Sequence, residues 1–349
     1  MSRHARGLVF GLIAVALVIG YGVLGSSAAP FALPAGSPTP TPTKPVSAVP
    51  APHVPGTIAF ALRRDVYMIR DGKNVSVTSD ARSIQPNLSA DGRTLLFVRE
   101  EAINGKRTVD GQITPAILRY TDIVKKDPSG GVESIVLSGL RTESPGGFHV
   151  VAWHNTPALS PDGKRFAVVT DAGSGQSVLE VYDLQTGKLA SPPLSQGSNL
   201  ADSTWSPDGK TIAVTSYALG EPRIVLIAVN GAVAVPLGIK GTTGESYRPS
   251  YSPDGKWITY TLRHDGGNDI HAVEILSGKD VALTSDGKSW NSVFSPDGKQ
   301  VAFLRESGGL IDLYAMDVAE ALVGGPVRAA VKLTRGEGID GDSRPAWGL

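Results

Sequence analysis

The sequence predicts an all-β fold. It is a six-bladed β-propeller of four-stranded blades, with the last blade closed by N- and C-terminal strands, preceded by an N-terminal transmembrane helix. Three observations predict it. The decapeptide "WSPDGKTIAV" (205–214) recurs as "YSPDGKWITY" (251–260), "FSPDGKQVAF" (294–303), "LSPDGKRFAV" (159–168) and "LSADGRTLLF" (88–97). Its aspartates, Asp91, Asp162, Asp208, Asp254 and Asp297, are spaced by 71, 46, 46 and 43 residues, and a period of about 40–45 with one turn per unit marks propeller blades. The chain also ends on half a unit whose other half stands at the start of the repeats.

The N-terminal element comes first. Residues 1–6, "MSRHAR", form a cationic tip, and the 19 residues 7–25, "GLVFGLIAVALVIGYGVLG", carry no charge. A helix of that length rises about 28 Å, close to a bilayer's hydrocarbon core. Cations ahead of it favour a cytoplasmic tip. The segment reads as a signal-anchor, or as a signal peptide cut after the small residues Ser26 and Ala28. Either way the domain is expected outside the cytoplasmic membrane: on a single-pass anchor, or secreted or periplasmic after cleavage. Residues 26–55 are expected to be a linker. Nine of the 28 residues in 29–56 are proline, which excludes helix and sheet and favours a semi-rigid polyproline stalk.

The propeller is expected over 56–349. In "SPDG", proline pre-sets φ for the turn and glycine accepts a left-handed conformation, so each copy joins two antiparallel strands. Three residues before each aspartate stands a large apolar side chain: Leu88, Leu159, Trp205, Tyr251, Phe294. Apolar residues four and six after it give period-2 patterning, hence strands. Two more strands follow in each unit, as in "LEVYDL" (179–184) with "LASPPL" (189–194). The chain finishes "SRPAWGL", with Trp347 in the large-apolar column, and "TIAFAL" (57–62), "DVYMIR" (65–70) and "VSVTS" (75–79) supply the missing strands. A blade shared between the termini closes the ring and removes its edges.

These residues resemble a family. "RPSYSPDGKWITY", "DLYAMD" (312–317) and "LTSDG" (283–287) are similar to the signature of TolB-type six-bladed propellers and the wider WD-repeat-like group. The resemblance covers about residues 56–349 and implies the fold. Such propellers include protein docking platforms, carbohydrate-active enzymes and peptidase lids. TolB itself carries an α/β domain before its propeller, where this sequence has an apolar segment and a stalk.

Composition narrows the function. Lys plus Arg and Asp plus Glu are both 33, which gives no electrostatic reason to expect nucleic acid. Cysteine is absent, so disulfides and thiolate metal sites are excluded. No GxSxG elbow, HExxH or phosphate-binding glycine loop occurs, and no cofactor is expected. The six histidines include His149 and His154, five apart, a weak metal-ligand spacing.

A site is expected at the end of the ring opposite the SPDG turns. Residues 100–116 and 140–153 lengthen connections there and are expected to be long loops. The residue six before each aspartate falls where the innermost strand begins, at the mouth of the central channel. These residues are Gln85, Thr156, Asp202, Arg248, Asn291 and, by register, Arg344. All are polar and they do not repeat, as a ligand-reading surface requires. Tyr247, Trp290, His154 and Asp342 adjoin them. The favoured expectation is a monomeric, envelope-anchored module that binds an envelope protein, a peptide or a glycan. The alternatives are a metal-assisted lyase or lactonase-like hydrolase using His154, Asp202 and Asp342, or an extracytoplasmic sensor.

Overall fold

Each repeated turn closes through the same set of bonds. In the copy at 206–211, the Ser206 hydroxyl donates to Asp208 Oδ1 (2.6 Å) and accepts from the Thr211 amide (2.9 Å), and the Lys210 amide donates to Asp208 Oδ1 (3.1 Å). Gly209, at φ 68°, donates its amide to the Ser206 carbonyl. The other four turns repeat these contacts. Each aspartate is therefore spent on its own turn, which is why the tetrapeptide recurs.

The computed structural model describes residues 54–143, 148–171, 176–191, 199–218, 220–231 and 234–349. The expected tip (1–6) and anchor (7–25), and all but the last two residues of the linker (26–55), lie outside them. No helix among the described residues is long and apolar enough to cross a membrane.

The strands run in chain order. The first sheet begins with β1 (Thr57–Leu62), β2 (Asp65–Arg70) and β3 (Lys73–Ser76). The second holds β4 (Ser83–Leu88), β5 (Leu95–Val109), β6 (Gln112–Lys126) and β7 (Ser134–Leu137). A two-stranded hairpin follows, β8 (Leu140–Glu143) with β9 (Phe148–Val151). The third sheet holds β10 (His154–Leu159), β11 (Arg165–Thr170), β12 (Val178–Asp183) and β13 (Leu189–Ser191). The fourth holds β14 (Leu200–Trp205), β15 (Thr211–Ser216), β16 (Arg223–Ala228) and β17 (Val235–Pro236). The fifth holds β18 (Glu245–Tyr251), β19 (Trp257–His264), β20 (Gly267–Glu274) and β21 (Asp280–Ala282). The sixth holds β22 (Ser289–Phe294), β23 (Gln300–Ser307), β24 (Leu310–Asp317) and β25 (Val331–Lys332), with a short helix α1 (Ala319–Leu322) between the last two. Finally β26 (Ala346–Gly348) returns to β1, pairing Trp347 with Ile58, so the first sheet also has four strands.

The core is divided among six apolar clusters, and each lies between two neighbouring sheets. Phe97 and Leu95 of the second sheet meet Met68 and Ala59 of the first. Trp205 and Ile212 of the fourth meet Leu179 and Val181 of the third. Phe294 and Phe303 of the sixth meet Ile270 and Ala272 of the fifth. The cluster of Phe60, Ile58 and Trp347 with Leu304 and Leu313 packs the first sheet against the sixth. The two remaining clusters join second to third and fourth to fifth. The large-apolar column expected to fill these gaps contributes Leu88, Trp205, Phe294 and Trp347.

Two expected loops are instead ordered strands. Residues 100–116 belong to a hairpin of two 15-residue strands, with every residue from Leu95 to Val109 paired to one from Gln112 to Lys126. The turn is Asp110-Gly111, both at positive φ (50° and 76°), as a two-residue hairpin turn demands. That Asp-Gly between alternating residues was the unread signal. The second expected loop, 140–153, carries the β8–β9 hairpin.

Candidate functional site

The first strand of each later sheet contains one bulge, and the bulged residue is the one singled out from the repeat. In β4 the register jumps between Ile84 and Asn87, in β10 between Asn155 and Ala158, in β14 between Ala201 and Thr204, in β18 between Tyr247 and Ser250, and in β22 between Trp290 and Val293. Gln85, Thr156, Asp202, Arg248 and Asn291 sit at these bulges with φ of 51°, 47°, 57°, 58° and 60°. Left-handed backbone at a residue other than glycine costs on the order of 1–3 kcal/mol and persists only where its surroundings enforce it. A sequence signal existed: the next residue is Pro86, Pro157, Ser203, Pro249 or Ser292, and proline within a strand marks a bulge.

The bulged residues are tied to one another across sheets. The Thr156 amide donates to Gln85 Oε1 (2.7 Å), and the Gln85 amide donates to the Ser343 hydroxyl (2.8 Å). The Ser203 hydroxyl donates to the Thr156 carbonyl (2.8 Å). Thr215 donates to Asp202 Oδ2 (3.1 Å) and accepts from the Arg248 amide (3.0 Å). Arg248 donates from one Nη to Asn291 Oδ1 (2.7 Å), and its other groups stand 4.0 Å from Asp202 and 3.5 Å from Asp342.

The sixth position behaves differently. Arg344 donates to the carbonyl oxygens of Pro249 (2.5 Å) and Ser203 (3.0 Å), which belong to the fifth and fourth sheets. Burial lowers its pKa, opposed by the charge of Asp202 and reinforced by that of Arg248. Just before it, the Gly341 carbonyl accepts from Trp290 Nε1 (2.8 Å), Asn291 Nδ2 (2.9 Å) and Arg248 (3.4 Å). A Cβ on Gly341 would stand 2.8 Å from Ile311 Cδ1, so glycine lets this segment seat.

The neighbours divide by exposure. Asp342 projects into solvent, 83% exposed, while Asp202 and Arg248 retain 17% and 19%. Gln85, Thr156, Trp290 and Arg344 are half-buried. Asn291, expected to read a ligand, is fully buried and spends its amide on Gly341 and Arg248. His154, expected to add contacts at the mouth, is 4% exposed. Its imidazole is pushed down to about 4, chiefly by burial. Tyr247 is buried between Arg248 and Arg263 and donates its hydroxyl to Asn268 (2.6 Å). The proposed ligand set His154, Asp202 and Asp342 does not form a metal-holding group, and none exists among the described residues. Tyr217, which the sequence reading missed, stands close enough for the charges of Asp202, Arg248 and Arg263 to act on its phenol, and burial raises that group to about 12.

A second device recurs from sheet to sheet, with no counterpart among the residues expected from the repeat. The aspartate opening the third strand accepts from the segment after the fourth. Asp269 takes Thr284 Oγ1 (2.8 Å) and the amides of Asp286 and Gly287, and Asp312 takes Thr334 Oγ1 (2.9 Å) and the Gly336 amide. Asp65, the first residue of β2, does the same with Thr78, and Asp122, well inside the long β6, makes the equivalent bonds with Ser138 and Gly139. "DLYAMD" supplies the aspartate of one such latch and "LTSDG" the donors of another, in neighbouring sheets.

Four-stranded antiparallel sheets of meander order, each packed face to face on the next, define the class of β-propeller proteins. The sequence pattern of the TolB beta propeller domain matches residues 150–347, and the chain belongs to that family. A TolB homolog of Chlorobium chlorochromatii is 29% identical over 160 residues, 46% of this chain and 33% of that protein. An uncharacterized peptidase of Bacillus subtilis, YuxL, is 27% identical over 198 residues, 56% of this chain and 24% of its own. The chain's matches thus span about a third or less of these curated relatives. The crystal structure of TolB from Acinetobacter baumannii superposes with a TM-score of 0.62 at 22% identity, covering 84% of this chain and 66% of that one, a likeness of fold.

Proposed function

We propose that the six sheets are blades of a six-bladed propeller that acts as an extracytoplasmic binding module. It docks an envelope protein, a peptide or a glycan at its channel mouth. The reading rests on one observation: five polar, non-repeating residues stand at left-handed bulges, and four of them, Gln85, Thr156, Asp202 and Arg248, keep part of their surface open to solvent. A purely structural ring has no need of five different residues in a costly conformation. Asp342, Asp202 and Arg248 supply charge of both signs there, and Trp290 an aromatic surface. In this reading residues 7–25 anchor the module in the cytoplasmic membrane and residues 26–55 hold it away from the bilayer as a monomer.

The test is site-specific photocrosslinking of the full chain in its native membranes. A crosslinker at Asp342 should trap a discrete partner, and one at Lys256, in a turn at the other end of the ring, should not. Equal capture at both positions, or at neither, defeats the reading.

A further inference from the structure

The β5–β6 hairpin extends well past the sheet that bears it. Only Leu95–Arg99 of β5 pairs with β4, and only Ile123–Lys125 of β6 with β7, so beyond them the two strands form an arm. Its turn fixes which backbone groups face outward. A two-residue turn makes Val109 and Gln112 a hydrogen-bonded pair, and bonding then alternates along the ladder. The outward amides on β5 are those of Glu100, Ala102, Asn104, Lys106 and Thr108, and the Glu100 amide does bond outward, to the Arg82 carbonyl (2.9 Å). From Ala102 to Thr108 these groups have no main-chain partner among the described residues. The corresponding edge of β6 is blunted by Pro115, which offers no N–H.

The side chains add a charge. On the face shared by Ala102, Asn104, Lys106 and Thr108, β6 contributes Ile113 (67% exposed), Pro115, Ile117 (64% exposed) and Arg119. No carboxylate stands on that stretch of the face. Lys106, Arg107 and Arg119 are exposed and form no ion pair among the described residues.

We propose that the β5 edge of this arm is a docking strip for an extended acidic peptide, which adds as a strand along Ala102–Thr108 with its carboxylates on the face that carries Lys106 and Arg119. Strand addition satisfies the outward N–H and C=O groups and charge complementarity sets the choice. A second copy of the arm would bring Lys106 and Arg107 against their like. The chain's own residues 1–53 contain no Asp or Glu. A lipid surface would accept the cations and isoleucines but leave the open edge unpaired.

The test uses the full chain reconstituted in phosphatidylcholine vesicles, with two fluorescent peptides, one alternating Glu and Val, the other Lys and Val. The acidic peptide should bind at least about tenfold more tightly, weaken as salt rises, and shield Lys106 and Arg107 from trypsin. Asn104→Pro, which removes one outward N–H and leaves the ladder to β6 intact, should weaken binding about tenfold. The pair Lys106→Glu with Arg119→Glu, two cations of one face, should reverse the preference, a readout that does not depend on how the proline is tolerated. Equal binding of the two peptides, or an unreversed preference, overturns the proposal. So does trypsin protection by phosphatidylglycerol vesicles without peptide, which would assign the arm to a lipid surface.

Discussion

Arg344 donates to the carbonyl of Ser203 (3.0 Å), in the first strand of a sheet three places away whichever way round the sheets are followed. The side chain read as a ligand contact is thus also a brace between sheets, with a second bond to Pro249. Arg344→Met should cost about 2–4 kcal/mol, because two charge-assisted bonds vanish and buried carbonyls lose their donor. Arg344→Lys should recover only part, since one ammonium lacks the fork that reaches both oxygens. Urea unfolding monitored by tryptophan fluorescence measures this. A wild-type midpoint for Arg344→Met would sink the brace and leave Arg344 to the ligand.

The fold was legible because its information is local and repeated. An SPDG turn uses its own serine, aspartate and glycine, and period-2 patterning places the strands on either side. The ring residues were legible as positions, by register, but their roles were not. That Asn291 is buried while Asp342 is open depends on how the segment around Gly341 packs against Arg248, Trp290 and Asn291, which no local pattern encodes. The arm departs from the expected loop for a different reason: a long interval between repeats shows only extra length, whereas the turn chemistry of Asp110-Gly111 specifies a hairpin.

Acid should unfold the domain in two stages. His154 is buried, neither ring nitrogen has a well-formed hydrogen bond, and its folded pKa is about 4 against an ordinary 6.5. The unfolded chain therefore takes up a proton that the folded one refuses, and stability present above pH 6.5 falls as pH drops toward 4, by about 3 kcal/mol in full. Asp91, Asp162 and Asp208 lie below the usual aspartate value, held there first by their turn serines and then by backbone amides. Their contribution persists above the ordinary aspartate value of 3.8 and is lost as pH falls through the lower folded values. In thermal melts across this range, His154→Leu should flatten the first stage and leave the second. An unchanged first stage would mean that His154 does not carry it.

The latch aspartates should matter more than the turn aspartates. Asp269 is 3% exposed and gathers Thr284, His264 and two backbone amides. Burial alone would raise its carboxyl, yet these donors, His264 first, hold it below the ordinary value. Asp269→Ala strands several buried donors and should cost about 2–4 kcal/mol, whereas Asp208→Ala, in an exposed turn, should cost about 1 kcal/mol. Hydrogen exchange should show the extra loss first in the amides of Ile270, Asp286 and Gly287. A smaller effect at Asp269 than at Asp208 would refute the ranking.

The first sheet is completed by the three residues of β26. Trp347 pairs with Ile58, lies 6% exposed in the apolar cluster between the first and sixth sheets, and donates Nε1 to the Pro55 carbonyl (2.6 Å). Gly348 and Leu349 run so close to Gly56 and Gly92 that a Cβ on either glycine would lie within 2.2 Å of a carbonyl oxygen. Removing 343–349 takes away the brace at Arg344, the tryptophan and the strand together, and exposes the edge of β1. The truncated chain should melt well below the intact one and aggregate through that edge. Trp347→Ala isolates the packing and should cost about 3–5 kcal/mol, while Trp347→Phe, which loses the indole bond but keeps most of the contact, should cost about 1 kcal/mol. A peptide of residues 343–349 added in trans should restore part of the truncated chain's melting temperature, because the gap it fills is already shaped by the first and sixth sheets. Truncation without effect on melting would show that β1 does not need its C-terminal partner and that the circle closes by sheet packing alone.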